Sequence, residues 1–210
     1  ETGAGNWCTW MFGRDLVNWN NNFTWAKWVT PSRDLISAFK QEGDEVRFKE
    51  SIVYYDCNWS NYYSSDNYPF MYKCRSANSS IIKYRYADVL LLKAEALIMQ
   101  DTPDLEGAAD IIDEVRDRAK LGALPTSVRS NKNVLLNALL KERRLELAFE
   151  GQRWFDLVRL DKVEEVMNAV YSKDSGRKAQ IYTFDKNSYR LPIPQSVIDA
   201  NDKIHQNPGY

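Results

Sequence analysis

The chain has 210 residues, of which 44% are hydrophobic and 27% are charged, and its formal net charge is −1 at pH 7. This composition is ordinary for a globular domain. The near-zero charge gives no electrostatic footprint for nucleic acid or an anionic membrane, and no apolar run is long enough to predict a transmembrane helix.

Residues 1–30 combine tryptophan with glycine, threonine and asparagine and have little periodicity, which predicts loops. The start, ETGAGNWCTW, lacks an initiator methionine and a leader, so we expect a processed product or a fragment. Rings that cover the apolar face of a pyranose, beside amides that bond its hydroxyls, are typical of a sugar site. The alternative is that the rings form the core of a loop-rich region. The five tryptophans are Trp7, Trp10, Trp19, Trp25 and Trp28.

The next segment begins with a predicted helix that has Ser32 as its N-cap and ends near Gly43. Residues 51–59, SIVYYDCNW, have strand-like content, whereas residues 60–73, SNYYSSDNYPFMYK, predict a loop. Tyrosine-rich loops suit recognition because a large ring is ordered at small entropic cost. Half-buried hairpin tyrosines are the equal alternative. The secondary ligand candidates are Tyr54, Tyr55, Tyr62, Tyr63 and Tyr68.

Three cysteines, Cys8, Cys57 and Cys74, match no zinc-binding spacing, and either one disulfide or buried thiols would account for them. Residues 84–99 and 105–119 predict two helices, with Asp101 or Thr102 capping the second. Small alanines on facing sides allow a tetratricopeptide-like hairpin, which we expect to be scaffold. A lone hairpin would leave apolar stripes exposed, so we expect further helices in a missing N-terminal half of the protein.

The central stretch, residues 133–159, has leucines at helical spacing and good helix formers up to Glu150, with Gly151 as the predicted left-handed stop. In a continuous helix, Glu142, Glu146 and Glu150 would share one face.

A functional interpretation would make Glu146 and Glu150 an acid/base pair or a metal site, but the single histidine, His205, fits no such pattern. We instead predict a structural role, in which arginines pair with these carboxylates and lock helix to helix. The predicted partners are Arg143, Arg144 and Arg153.

The C-terminal part predicts a short helix at residues 161–171 and extended pieces at residues 180–187 and 189–194, with the end of the chain tied down by Tyr210. The sequence has no phosphate-binding loop, nucleophile elbow, Cys/His pair or zinc-protease motif. We therefore predict no enzyme, no metal and no cofactor. A two-carboxylate glycosidase needs no local motif, and it is the less favoured interpretation.

Three blocks then identify a family resemblance. They are KERRLELAFEGQRWFDLVRL at residues 141–160, RYADVLLLKAEAL at residues 85–97 and YRLPIPQSVIDANDKIHQNPGY at residues 189–210, with a weaker block at residues 31–48. Together they resemble the SusD/RagB family over about residues 31–210. The resemblance implies a mostly α fold, with a tetratricopeptide-like hairpin, further helices, long irregular loops and a few short strands.

The resemblance further implies a non-catalytic glycan-binding protein at the outer-membrane surface, which delivers oligosaccharide to a SusC-like TonB-dependent transporter. Its lipid anchor would lie in a segment outside this chain. We expect residues 1–80 to form the ligand face, residues 81–160 the helical scaffold and residues 161–210 a closing segment, all within one domain. The alternatives are a peptide-binding RagB-like uptake protein and a purely structural helical interaction module.

Overall fold

The computed structural model describes residues 30–55, 67–73, 82–173 and 183–210. The chain divides into two compact units, Glu1–Arg153 and Trp154–Tyr210. Among the described residues, helices dominate both units and the strands form one short hairpin, which confirms the predicted mostly α class. Within these ranges, no helix has the length and apolar character needed to cross a membrane.

The first helices in the described part of this unit are α1, Arg33–Glu42, and α2, Glu45–Ser51. The Ser32 hydroxyl accepts a hydrogen bond from the backbone N–H of Leu35 at 3.1 Å, and Gly43 ends α1 with a φ of 69°. Both predicted signals are therefore confirmed. The carboxylate of Asp44 then caps α2 through the backbone N–H of Arg47 at 3.1 Å.

A two-stranded antiparallel hairpin follows, formed by β1, Ile52–Tyr55, and β2, Tyr68–Met71. The predicted strand is confirmed at β1, but the loop prediction for residues 60–73 is wrong at β2. The physical reason is burial, since Phe70 and Met71 are only 1% and 3% exposed and pack into the interior. Tyr68 is buried as well, and its hydroxyl lies 2.7 Å from Thr30 Oγ1, so it is not an exposed loop ring.

The helical hairpin consists of α3, Tyr86–Met99, and α4, Leu105–Arg118. Asp104 caps α4 by accepting a hydrogen bond from the N–H of Gly107 at 2.9 Å, so the predicted caps at Asp101 and Thr102 are wrong. Alanines at the contact allow the two helices to lie close together. The buried core between this hairpin and the later helix at Lys132–Glu146 includes Leu91, Ala94, Ile98, Ala108, Ala109, Ile112, Leu135 and Leu139.

The short α5, Thr126–Arg129, leads into α6, Lys132–Glu146. The predicted continuation of α6 to Glu150 is wrong, because residues 147–151 form a turn in which Phe149 and Gly151 have φ values of 66° and 80°. Lys73 and Arg85 each donate a hydrogen bond to the backbone carbonyl of Glu146 at 2.6 Å. These side chains satisfy a carbonyl that a longer helix would have used, so they end α6 early.

Helix α7, Arg153–Arg159, starts at the last residue of the first unit and otherwise lies in the second unit. The second unit also contains α8, Val163–Lys173, a 3₁₀ helix at Lys186–Tyr189, and α9, Gln195–Asp199. The 3₁₀ helix shows that the extended prediction for residues 180–187 is wrong at Lys186 and Asn187, and residues 180–182 lie outside the described ranges. The ring of Trp154 lies 6.4 Å from that of Phe184, centroid to centroid. The hydroxyl of Tyr210 donates to the carbonyl of Arg190 at 3.1 Å, which confirms that Tyr210 ties down the end of the chain.

Candidate functional site

The most unusual feature of the first unit is a group of buried charges at the end of α6, which we call the ion-pair cluster. Its acidic members are Glu142, Glu146 and Glu150, and the first two are only 2% exposed. A buried carboxylate is costly unless it is paired and hydrogen-bonded. The cations that contact these glutamates are Arg47, Lys73, Arg85, Arg116 and Arg118.

Glu146 lies at the centre of the ion-pair cluster. Its carboxylate accepts hydrogen bonds from Arg47 Nη1 at 3.0 Å, Arg85 Nη1 at 2.6 Å and Arg118 Nη2 at 2.5 Å. Burial is the largest single influence and acts to raise the pKa of Glu146, but the arginines together outweigh it and leave that pKa below its usual value. Glu146 is therefore a permanently ionised anchor at neutral pH.

Glu142 lies one turn earlier on α6. Its carboxylate accepts from Arg47 Nη1 at 2.5 Å and from Arg116 Nη1 at 3.3 Å. Burial raises the pKa of Glu142, and Arg47 only partly offsets that effect. Arg47 also contacts Asp44 at 2.5 Å. Because the same guanidinium contacts both Glu142 and Glu146, it joins α2 to two successive turns of α6.

The predicted kind of interaction is confirmed, since ion pairs do join these helices, but the predicted partners are wrong. Arg143 instead contacts Asp88 at 2.8 Å, and Arg144 contacts Asp34 at 2.5 Å. Arg153 donates to the backbone carbonyl of Leu140 at 3.2 Å. The glutamates draw their cations from positions far along the chain, which no spacing within the central stretch could have indicated.

The chemistry of the ion-pair cluster is that of a clamp. Each acidic group faces a guanidinium or an ammonium group, and such pairs leave little capacity for proton transfer at neutral pH. In the described parts of the chain, no group of three or more His, Cys, Asp or Glu side chains is placed to hold a metal ion. The cluster therefore acts on the fold, and its importance for function lies in what it holds in place.

The ion-pair cluster also holds Lys73 and Arg85, which lie on either side of residues 74–81. Lys73, just after β2, contacts Glu150 Oε1 at 2.5 Å. Burial has the largest influence on the pKa of Lys73 and lowers it, and the nearby Glu150 only partly offsets this effect. Arg85, just before α3, contacts Glu146 and also Glu150, the latter at 2.7 Å. Residues 56–66 join β1 to β2, and residues 74–81 follow Lys73. Lys73 and Arg85 thus fix the chain on either side of residues 74–81 to the same group of charges.

Among the predicted ligand residues, the side chains of Tyr54 and Tyr68 are described, and that of Tyr68 is buried. The ring of Tyr54 lies 6.3 Å from that of Phe48, and burial raises the pKa of its hydroxyl. Tyr55 belongs to β1, where its backbone alone is described. The role of the predicted ligand residues stays a prediction. Those that lie outside the described residues are Trp7, Trp10, Trp19, Trp25, Trp28, Tyr62 and Tyr63.

Two aromatic residues that sequence reasoning did not select are open to solvent. Tyr84 and Tyr86 are 73% and 72% exposed, and they flank Arg85, whose guanidinium reaches inward to the ion-pair cluster. The sequence pattern that could have indicated their exposure is Tyr-Arg-Tyr. Because the central arginine is directed inward, the tyrosines on either side of it are directed towards solvent. These rings join the list of candidate stacking residues.

The first unit is therefore a helical scaffold in which buried ion pairs join α2 and α6 to Lys73 and Arg85, which lie on either side of residues 74–81. The SusD family model matches residues 63–210, and the chain belongs to the SusD family. The chain is 43% identical over 99 residues to SusD-like protein P38 of Formosa agariphila, an alignment that covers 44% of this chain and 19% of that protein.

Solved structures show the same fold. A SusD superfamily protein from Bacteroides vulgatus matches with a TM-score of 0.64 and 21% identity, over 86% of this chain and 44% of its own. A structure described as a laminarin binding SusD-like protein matches with a TM-score of 0.62 and 25% identity, over 98% of this chain and 44% of its own. This chain thus spans less than half the length of each of these relatives.

Proposed function

We propose that this chain is part of a non-catalytic glycan-binding protein on the outer-membrane surface. In this proposal the protein captures an oligosaccharide and passes it to a SusC-like TonB-dependent transporter, and a lipid anchor outside this chain holds it at the membrane. The observation that carries the proposal is membership of the SusD family, together with similarity over 98% of the chain to a protein described as laminarin binding.

The chemistry of the chain supports a sugar as the ligand class. Aromatic rings stack on the apolar faces of sugars, and nearby amides, hydroxyls and charges bond to sugar hydroxyls. The sequence provides this mixture in residues 1–29 and 56–66. Binding residues on loops that a rigid scaffold positions are a common arrangement.

The experiment is titration calorimetry of the chain, and of a longer form of the protein, against laminarin, other purified polysaccharides and an unrelated peptide mixture. We expect saturable heat with one class of polysaccharide. Saturable heat with the peptides alone would refute the glycan proposal in favour of peptide capture. Silence from a folded sample of the longer form would refute ligand binding and favour an interaction module.

Tryptophan variants test which rings contact the ligand. Trp25→Ala and Trp28→Ala should each weaken glycan binding by about tenfold and leave the melting temperature unchanged, as for rings that stack on a ligand. The matched control is Trp154→Ala, because Trp154 packs against Phe184. It should lower stability by about 2–3 kcal/mol without weakening binding. Unchanged affinity in the first two variants would remove them from the site.

A further inference from the structure

Residues 84–86 form an extended segment immediately before the helical hairpin. The backbone of Arg85 has φ and ψ values of −146° and 164°, which are typical of a β-strand. Neighbouring side chains of an extended chain point to opposite sides. The rings of Tyr84 and Tyr86, which we call the tyrosine pair, therefore lie on one side of the chain, and the guanidinium of Arg85 lies on the other. Both rings are open to solvent, in agreement with this arrangement.

The backbone that carries the tyrosine pair is held from both ends. Arg85 donates to the carboxylate and to the backbone carbonyl of Glu146, both at 2.6 Å, and to the carboxylate of Glu150 at 2.7 Å. On the preceding side, the side-chain amide of Gln152 donates to the carbonyl of Lys83 at 3.2 Å. A ring on an ordered backbone loses little further entropy when a ligand binds. These contacts therefore preorganise the tyrosine pair for binding.

The spacing of the tyrosine pair suits a ligand longer than one sugar ring. Alternate residues of an extended chain are about 6.6 Å apart, since each residue contributes a rise of about 3.3 Å. This distance is comparable with the length of one sugar unit in a polysaccharide. Each tyrosine ring can therefore cover the apolar C–H face of one of two neighbouring units.

Polar groups beside the tyrosine pair suit the edges of a sugar, where the hydroxyls need hydrogen-bond donors and acceptors. Each tyrosine carries a hydroxyl that can act as either. The amide of Gln152 bonds to the carbonyl of Lys83, which is joined directly to Tyr84. The same amide has a second hydrogen and an oxygen that can bond to ligand hydroxyls. The rings and this amide together provide the stacking and hydrogen-bonding groups of a sugar site.

The surface around the tyrosine pair is less suited to a protein partner. Stable interfaces between proteins use about 20–30 residues from each side, and their cores contain few lysines. The tyrosine pair is only two rings wide, and the neighbouring Lys83 is exposed. A narrow surface of this kind is more typical of contact with a single extended oligosaccharide.

We propose that the tyrosine pair binds two neighbouring units of an oligosaccharide by stacking, with Gln152 bonding to the hydroxyls at one edge. This proposal rests on the proposed glycan function and extends it. The contact lies at residues 84–86, in the helical scaffold, and therefore outside the region of residues 1–80 that the sequence analysis expects to form the ligand face.

The test is calorimetry of a longer form of the protein, titrated with fragments of one, two and six sugar units from each polysaccharide of the panel above. Tyr84→Ala with Tyr86→Ala should weaken binding of the two-unit and six-unit fragments by about tenfold. Tyr84→Phe with Tyr86→Phe keeps both rings and should weaken it by about threefold at most. The matched control is Phe155→Ala, which removes a ring that is also exposed and should leave binding unchanged.

A second measurement uses the unmodified longer form. Nitration of tyrosine by tetranitromethane, read by mass spectrometry, should modify Tyr84 and Tyr86 quickly without glycan and slowly with a saturating six-unit fragment, because the bound sugar covers both rings. Tyr210, which is 57% exposed, should react at the same rate with and without the fragment. The buried Tyr68 provides the slow reference within the same sample.

The outcomes separate this proposal from the function on which it rests. If the longer form binds a glycan and the double alanine variant binds it equally well, the tyrosine pair is not a site and the glycan function stands. If no polysaccharide gives heat, both proposals are refuted. Slow nitration of the tyrosine pair without glycan would show that other parts of the protein cover it, and this would also overturn the site. Equal affinity for one-unit and two-unit fragments would overturn the assignment of one sugar unit to each ring.

Discussion

The ion-pair cluster makes a quantitative prediction for Glu146→Gln, which removes one negative charge and keeps the size of the side chain. Glu146 is only 2% exposed and contacts Arg47, Arg85 and Arg118. The side chains of Arg47 and Arg85 are 7% and 26% exposed, so both would remain buried with less compensation. The side chain of Arg118 is 61% exposed, and water can replace its lost partner.

The size of the effect follows from these environments. Removing one partner of a buried ion pair costs about 3–5 kcal/mol, and an exposed pair contributes at most about 1 kcal/mol. Arg47 keeps Asp44 and Glu142, and Arg85 keeps Glu150, which places the expected loss near the lower limit, about 3 kcal/mol. For a chain of this length, that loss lowers the melting temperature by about 6–12 °C.

Thermal and urea denaturation of the wild type and two variants would measure this loss. The matched control is Glu106→Gln, because Glu106 also pairs with an arginine, Arg129, at 2.6 Å, but its side chain is 67% exposed. We expect the control to lose at most about 1 kcal/mol. If Glu146→Gln cost no more than Glu106→Gln, the argument that the buried ion-pair cluster clamps the fold would be refuted.

Two further predictions concern pH and one glycine. Because its folded pKa lies below the ordinary value of 4.5, Glu146 stabilises the fold fully above pH 4.5, and that contribution is lost as the pH falls through the folded pKa. Glu142, whose pKa is raised, acts in the opposite sense. Because Glu146→Gln removes the contribution that is lost in acid, it should flatten the acid limb of a stability–pH curve measured in urea. An unchanged acid limb would contradict this. Gly43→Ala should cost about 1–2 kcal/mol in the same assay because its φ is 69°. Gly122→Ala, with equal space and no positive φ, should cost nothing, and equal losses would contradict the backbone argument.

The elements that sequence predicted well are those whose signals are local. Ser32 and Gly43 bracket α1 within twelve positions, and each acts on backbone groups a few residues away. The helical hairpin was predictable for the same reason, since alanine and leucine spacing within each helix determines which side is buried. The cap at Asp104 was missed because three capping residues lie close together in the sequence and only one has the required geometry.

The elements that sequence predicted poorly depend on distant partners. The end of α6 at Glu146 is determined by Lys73 and Arg85, which bind its carbonyl from 73 and 61 positions away. Strand β2 resembles a loop in composition, and only its pairing with β1 and its burial make it a strand. The ion-pair partners of the glutamates were mispredicted for the same reason. The ligand residues in the aromatic segments stay predictions, since they fall mostly outside the described ranges.

The sequence separation within the ion-pair cluster has a consequence for the order of folding. Arg47 meets Glu142 and Glu146 across 95 and 99 positions, and Arg85 meets Glu146 across 61. Closing such long loops is entropically expensive, whereas α3 and α4 can pair within one short stretch of chain. The hairpin is therefore expected to form first and the cluster last. Contacts made after the rate-limiting step slow unfolding without speeding folding, so the cluster chiefly lengthens the lifetime of the folded scaffold.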